Sequence, residues 1–97
     1  MLFVIYAMDR PGDGSLRQTH RPAHIEYLKS KVAMIRTAGP LLDEDGEKMV
    51  GSMLVVEAAN LAAAKAFAAA DPFAKNGVFA SVAVRPWRAS VGSVSFA

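Results

Sequence analysis

The sequence predicts an α+β domain in which two helices cover one face of a four-stranded antiparallel sheet. Strand-like and helical segments follow one another in the order βαββαβ. With 97 residues, the chain has room for one core, so we expect residues 1–97 to form a single domain. Right-handed crossovers place both helices on the same side of the sheet, which is the ferredoxin-like arrangement.

The first half supplies one strand and one helix. Residues 2–8 are apolar on both alternating faces, as in a buried central strand, and turn-forming residues 9–15 end it. The first helix is predicted to begin at Pro22, because proline suits the first helical turn and disfavours helix in the residue before it. Gly39-Pro40 is predicted to end it. Its core-facing residues recur at helical spacing: Ile25, Leu28, Val32 and Ile35.

The second half supplies the remaining elements in a regular order. A short strand is expected at Leu41-Leu42, followed by a hairpin turn over residues 43–47 and a strand over residues 51–58. The N-cap residue Asn60 then begins a helix over residues 61–70, which Asp71-Pro72 ends. The last elements are a two-faced apolar strand, residues 78–84, and a short terminal extension, residues 91–96.

The apolar content creates a burial problem that predicts self-association. Hydrophobic residues make up 53% of the chain, and the strands are apolar on both faces. If both helices cover one face, the other exposes valine, isoleucine and methionine side chains to water. We therefore expect a homodimer joined sheet to sheet through the open face, which is a dimeric α+β barrel.

Composition argues against several classes of function. The 11 basic and 9 acidic residues give a net charge of +2 and form no basic stripe, so we expect no nucleic-acid partner. The absence of cysteine removes disulfides, thiolate nucleophiles and cysteine-based metal sites. Residues 2–8 are too short to span a bilayer and do not resemble a signal peptide, so we expect a cytoplasmic protein without a membrane partner.

The strongest candidate site pairs His24 with Asp71. His24 falls one turn into the predicted first helix, at the border of its packed face, and Asp71 follows the second helix. Because those helices run antiparallel, the start of one and the end of the other share an edge of the molecule. A histidine and a carboxylate at one edge can carry out proton transfer.

Each of these residues also has a structural interpretation. A single histidine near a helix start usually carries no chemistry, Asp-Pro is a common helix stop, and Arg21 would commonly be a solvated base. His20 and His24 have the spacing of a helical metal pair, but a helix that begins at Pro22 separates them. No third ligand is evident, so we expect neither a metal site nor another cofactor.

Seven short blocks, spread over nearly the whole chain, resemble the YciI-like (YCII-related) proteins in order and spacing. The blocks are residues 2–7, Arg21-Pro22-Ala23-His24, Ala38-Gly39-Pro40-Leu41, Gly51-Ser52, Asp71-Pro72-Phe73, Gly77-Val78-Phe79 and Val84-Arg85-Pro86-Trp87. The resemblance implies the dimeric α+β barrel and an active site on His24 and Asp71, with Arg21 and Ser52 as substrate-binding neighbours. A related dehydrochlorinase of chlorinated hydroxyquinol degradation implies that this scaffold supports elimination on a small aromatic.

Two functional hypotheses follow from the sequence. The first is a small-molecule enzyme in which His24 is the general acid or base and Asp71 orients its imidazole, so that proton abstraction, elimination or hydrolysis would all be compatible. In that case Arg21 could hold an anionic group of the substrate. The alternative is a non-catalytic dimeric domain that binds a small ligand or assists an enzyme. A water-excluding cleft around His24 would favour the first hypothesis, whereas an edge that is flat or filled by Phe73 and Trp87 would favour a purely structural dimer.

Overall fold

The computed structural model describes residues 1–94. Seven helices and strands follow one another along the chain: β1 (Leu2–Asp9), α1 (Ser15–Ser30), β2 (Ile35–Leu42), β3 (Met49–Glu57), α2 (Leu61–Ala70), α3 (Pro72–Lys75) and β4 (Phe79–Trp87). A single 3-10 turn, Val32–Met34, connects α1 to β2. No helix within residues 1–94 is long and apolar enough to cross a bilayer.

The sheet has the predicted ferredoxin-like topology. Its four strands are ordered β2-β3-β1-β4, and every neighbouring pair is antiparallel. The strand β1 is therefore central, as its two-faced apolar sequence predicted. The core lies between one sheet face and the helices, and its buried residues come from β1, β3 and α2: Phe3, Ile5, Leu54, Val56, Ala64, Phe67 and Ala68. The α+β fold class is confirmed.

The start of α1 differs from the prediction. The helix begins at Ser15, seven residues before Pro22, and Pro22 lies inside it. The amide of Ser15 donates to the Asp13 carboxylate at 2.9 Å, which satisfies one of the free N–H groups of the first turn. A proline inside a helix costs about 3 kcal/mol. Buried contacts made by Arg17 and His24, on either side of Pro22, offset that cost.

The predicted end of α1 is also wrong. The helix ends at Ser30, Val32 is 69% exposed in the 3-10 turn, and Ile35 already begins β2. Gly39-Pro40, predicted to stop the helix, lies within β2 instead. Proline is tolerated there because β2 is at the edge of the sheet. The N–H that proline lacks can be one that would face away from β3, so no hydrogen bond between the strands is lost.

The later elements match the sequence more closely. The helix α2 covers Leu61–Ala70 as predicted, and the Asn60 side chain accepts the amide N–H of Ala63 at 2.8 Å. The strands β3 and β4 are shifted or extended by up to three residues from their predicted bounds. Residues 88–94 contain no strand, and the rest of the extension predicted over residues 91–96 lies outside the described residues.

The sheet face opposite the helices is apolar and partly exposed. Tyr6 of β1 and Met53 of β3 are register partners on this face, and they are 48% and 40% exposed. Val4 and Val55 form the next pair along the same face, where Val4 is partly exposed and Val55 is already buried within the chain. The burial problem expected from the sequence is therefore present in the folded chain.

Candidate active site

The structure brings the imidazole of His24 into contact with the carboxylate of Asp71. The Nδ1 atom of His24 lies 2.8 Å from Oδ1 and 3.0 Å from Oδ2 of Asp71. His24 lies on α1 and Asp71 at the junction of α2 and α3, so the juxtaposition arises from the antiparallel packing predicted for the two helices. Both side chains are buried, whereas the sequence placed His24 at a partly exposed border.

Asp71 does more than mark the end of α2. Its Oδ1 also accepts the backbone N–H of Phe73 at 2.9 Å, which makes Asp71 the N-cap of α3. An ionised carboxylate can only accept hydrogen bonds, so Nδ1 of His24 donates to it. The second imidazole nitrogen, Nε2, is then left without a proton when the ring is neutral.

The side chain of Arg17 is the main element of the site that the sequence interpretation missed. Its Nε and Nη2 donate to the two carboxylate oxygens of Asp9 at 2.7 and 3.0 Å. The Nη2 atom also donates to the Ser52 hydroxyl at 2.8 Å. Arg17 is 4% exposed, so this is a buried bidentate ion pair rather than a solvated charge.

The aromatic ring of Phe73 contacts the side chains of both His24 and Arg17. It stacks on the His24 imidazole with a centroid distance of 3.9 Å and an interplanar angle of 11°. The guanidinium carbon of Arg17 lies 4.5 Å from the same ring centroid. The ring itself is fully buried. His24 is buried because α3 places this ring over it.

A cavity of about 230 Å³ lies beside these residues, between α1 and the β2–β3 hairpin. His24, Arg17, Arg21 and Ser52 supply its polar lining. Its apolar lining includes Leu28, Pro40 and Leu54. Asp71 is not part of the lining, because it contacts the Nδ1 side of the imidazole. The cavity thus brings together His24, Arg21 and Ser52 from the predicted site, together with Arg17, while Asp71 supports His24 from behind.

Tyr27 lies close to the histidine–aspartate pair without lining the cavity. Its hydroxyl donates to the carbonyl oxygen of Phe67 at 2.8 Å. Burial, with a smaller contribution from the negative charge of Asp71, raises the pKa of the Tyr27 hydroxyl above its ordinary value. The tyrosine therefore remains a neutral hydrogen-bond donor that joins α1 to α2.

The two histidines share one helix, contrary to the sequence interpretation. Because α1 starts at Ser15, Pro22 does not separate His20 from His24, and the i, i+4 spacing is real. Within residues 1–94, however, no group of three or more histidine, aspartate or glutamate side chains is arranged as metal ligands would be.

A larger depression of about 790 Å³ lies at the opposite end of the sheet, beside Trp87 and residues 88–94. Its charged lining consists of Arg36, Glu57 and Arg88, and no histidine is among the described residues that line it. Acid–base chemistry near neutral pH is therefore better supported by the smaller cavity.

Comparison with known proteins identifies the family. The sequence model that defines the YCII-related domain family matches residues 1–88 of this chain. The chain belongs to the YCII-related family. It is 36% identical over 95 residues to Protein YciI of Escherichia coli O6:H1, covering 91% of this chain and 97% of that protein. An uncharacterised protein of Haemophilus influenzae is 37% identical with the same coverage. The resemblance deduced from the sequence blocks is thereby confirmed.

One solved structure of similar sequence carries a functional description. It is the 5-chloro-2-hydroxyhydroquinone dehydrochlorinase TftG of Burkholderia phenoliruptrix AC1100, in complex with 2,5-dihydroxybenzoquinone. Its sequence is 38% identical, the TM-score is 0.84, and the match covers 93% of this chain and 96% of that chain. This member of the YCII-related family therefore shares its fold with an enzyme that acts on a small ring compound.

Proposed function

We propose that this YCII-related protein is a small-molecule enzyme in which His24 transfers a proton to or from a substrate in the cavity of about 230 Å³. One observation carries the proposal. His24 lines the cavity while its Nδ1 is held by the buried carboxylate of Asp71 at 2.8 Å. This arrangement leaves Nε2 as the nitrogen that can exchange a proton with a ligand.

Each polar residue of the cavity has a distinct role in this proposal. Asp71 fixes the tautomer of His24 and stabilises the imidazolium that forms when Nε2 accepts a proton. The charge of Arg17 is matched by Asp9, so that Arg17 supplies hydrogen-bond donors without adding net charge. Arg21 lines the cavity as an exposed cation. A ligand that carries an anionic oxygen is therefore favoured over a cationic one.

The size and lining of the cavity favour a single ring. A protein cavity of roughly 150 Å³ holds benzene, and about 230 Å³ leaves room for a single ring with its oxygen substituents. Apolar contacts from Leu28, Pro40 and Leu54 suit the faces of such a ring. The neighbouring dehydrochlorinase, whose complex holds 2,5-dihydroxybenzoquinone, supports this ligand class.

Binding of 2,5-dihydroxybenzoquinone tests the proposed ligand class. Isothermal titration calorimetry should show saturable binding to the wild-type chain. Replacing Arg21 with glutamine should weaken it by roughly tenfold, about 1.4 kcal/mol, because a charge-assisted contact is lost. The matched control is Arg88→Gln, which changes an arginine of the opposite depression and should leave the affinity unchanged. Absent binding, or equal losses in both variants, would contradict the proposal.

The second candidate is a non-catalytic dimeric domain that binds a small ligand or assists an enzyme. It is favoured by the same cavity and would need no proton transfer by His24. Binding that persists with full affinity in His24→Asn, without any chemistry in the wild-type protein, would favour this function. A cytoplasmic location, expected from the sequence, remains a prediction under both functions.

We further propose that the open sheet face, containing Val4, Tyr6 and Met53, is covered by a second copy of this chain. Light scattering coupled to size exclusion should give twice the mass of 10.3 kDa at micromolar concentration. Met53→Lys should shift the protein to monomer, because a charge would be buried in an apolar interface. Leu61→Lys, an equally exposed position on α2, is the control and should remain dimeric. A monomeric wild-type protein would contradict this assembly.

A further inference from the structure

We propose that Phe73 is a positioning residue of this site. It fixes the positions of the His24, Asp71 and Arg17 side chains relative to one another. Phe73 does not line the cavity and would not touch the substrate. The inference rests on the proposed function for its catalytic meaning, but its structural content can be tested without a substrate.

Phe73 contacts all three groups through two different parts of the residue. Its backbone N–H donates to Oδ1 of Asp71 at 2.9 Å, the same oxygen that lies 2.8 Å from Nδ1 of His24. Its ring lies almost parallel to the imidazole of His24, at an angle of 11°. The same ring lies 4.5 Å from the guanidinium carbon of Arg17.

The spacing of Arg17 and His24 along α1 suits a single inserted ring. Arg17 and His24 are seven residues apart, which is two helical turns and about 10.5 Å along the axis. An aromatic ring in van der Waals contact with both side chains fits that interval. Seven-residue spacing also keeps both side chains on the same face of α1, the face that meets α3.

The ring is itself held firmly. Phe73 is fully buried, its carbonyl accepts the N–H of Val78 at 3.0 Å, and Phe79 packs edge-on against it at 5.7 Å between centroids. These contacts fix the ring from α3 and β4, on the side away from α1. A rigid support of this kind restricts rotation of the imidazole about its χ2 angle, which has no strong intrinsic preference.

Rotation of the imidazole would abolish the proton-transfer geometry. If the ring turned over about χ2, Cδ2 would take the place of Nδ1 beside Asp71, and Cε1 would take the place of Nε2. The hydrogen bond that selects the Nδ1-protonated tautomer would be lost, so either tautomer could form. The charged groups around His24 are Asp71, Arg17 and Arg21. Asp9 pairs with Arg17 on the side away from His24, and the hydroxyl of Tyr27 lies one turn further along α1. Among them, Asp71 alone hydrogen-bonds the imidazole. The stacked ring of Phe73 supplies the second restraint on rotation of the imidazole.

The tautomer of His24 is the direct readout. The chain has two histidines, so nitrogen-15 spectra of the imidazoles contain one signal set from His24 and one from His20, which serves as an internal reference. In the wild-type protein at a pH where imidazole is neutral, His24 should show the Nδ1-protonated tautomer. Phe73→Leu should convert it to a mixture of both tautomers, because the flat support is lost.

Matched variants separate positioning from simple packing. Phe67→Leu removes a buried ring that stacks on Tyr27 instead, and it should lower stability while leaving the His24 tautomer unchanged. Substitution of 4-fluorophenylalanine at position 73 keeps the flat ring and should keep the wild-type tautomer. If Phe73→Leu does not fold, Phe73→Met, whose unbranched and flexible side chain adapts to an irregular space, takes its place in the same experiment.

The outcomes distinguish this inference from the proposed function. A folded Phe73→Leu or Phe73→Met variant with the wild-type tautomer would overturn the positioning role, whatever ligand the protein binds. A tautomer mixture in that variant, with Phe67→Leu unaffected, supports the role even if 2,5-dihydroxybenzoquinone does not bind. In that second case, the proposed ligand class would be wrong, whereas the positioning role of Phe73 would be supported.

Discussion

Replacing Arg17 with methionine should lower the free energy of unfolding by about 3–5 kcal/mol, because it leaves a buried carboxylate unpaired. The side chain of Asp9 is only 12% exposed, and Arg17 donates to both of its oxygens. The hydroxyl of Ser52 loses its buried donor as well. Methionine retains much of the apolar stem, so the loss reflects charge rather than volume. Urea denaturation followed by circular dichroism measures the difference.

Two companion variants make this prediction specific. Arg21→Met changes the exposed arginine on the same helix and should alter stability by no more than about 0.5 kcal/mol. The double variant Arg17→Met with Asp9→Leu should recover much of the loss, since no buried charge then remains unpaired. If Arg17→Met were no more destabilising than Arg21→Met, the buried ion pair would not organise the site.

Replacing His24 with asparagine should reduce acid–base catalysis by roughly 10²–10⁴-fold. Exchange of the ring hydrogens of 2,5-dihydroxybenzoquinone in D₂O measures this step alone. In each exchange, the imidazolium carrying a deuteron on Nε2 delivers it to a ring carbon, and the same nitrogen then accepts the proton that leaves this carbon. A C–D bond replaces a C–H bond, and the proton on Nε2 is exchanged for a deuteron from D₂O. Proton NMR follows the loss of the ring signal against a sample without protein.

The stability cost of His24→Asn should be about 1–3 kcal/mol, because a buried hydrogen bond to Asp71 is disturbed. That cost exceeds what the partly exposed position predicted from the sequence would imply. The control is His20→Asn, which alters the other histidine of α1 and should keep both exchange rate and stability. Exchange at the wild-type rate in His24→Asn would make the histidine a packing residue.

The sequence predicted those features that depend on local signals and topology. Asn60 begins α2 and Asp71 ends it because a polar cap and an Asp-Pro pair act on their own neighbours. The βαββαβ order makes α1 and α2 antiparallel on one sheet face and so brings α1 to the end of α2, although His24 lies in the middle of α1 and not in its first turn. For that reason the contact between His24 and Asp71 was predictable before any coordinates.

The features that the sequence missed depend on tertiary contacts. Pro22 favours a helix start by local rules, yet the buried contacts of Arg17 stabilise about two further helical turns before Pro22. A helix that begins at Pro22 leaves Arg17 outside it, so the helical spacing of Arg17 with Arg21 and His24 has no meaning in that prediction. That i, i+4, i+7 stripe was the signal available in the sequence. The stacking of Phe73 on His24 has no comparable sequence signal, because the direction of the Phe73 ring is set by the short helix α3 and by tertiary packing.

The most direct test of the central claim is a crystal structure of the wild-type protein with 2,5-dihydroxybenzoquinone. We expect the ring in the cavity between α1 and the β2–β3 hairpin, with a ligand atom within hydrogen-bonding distance of Nε2 of His24. We also expect a ring oxygen to face Arg17 or Arg21. A ligand bound only in the depression beside Trp87, or one in the cavity with Nε2 turned away from it, would contradict proton transfer by His24.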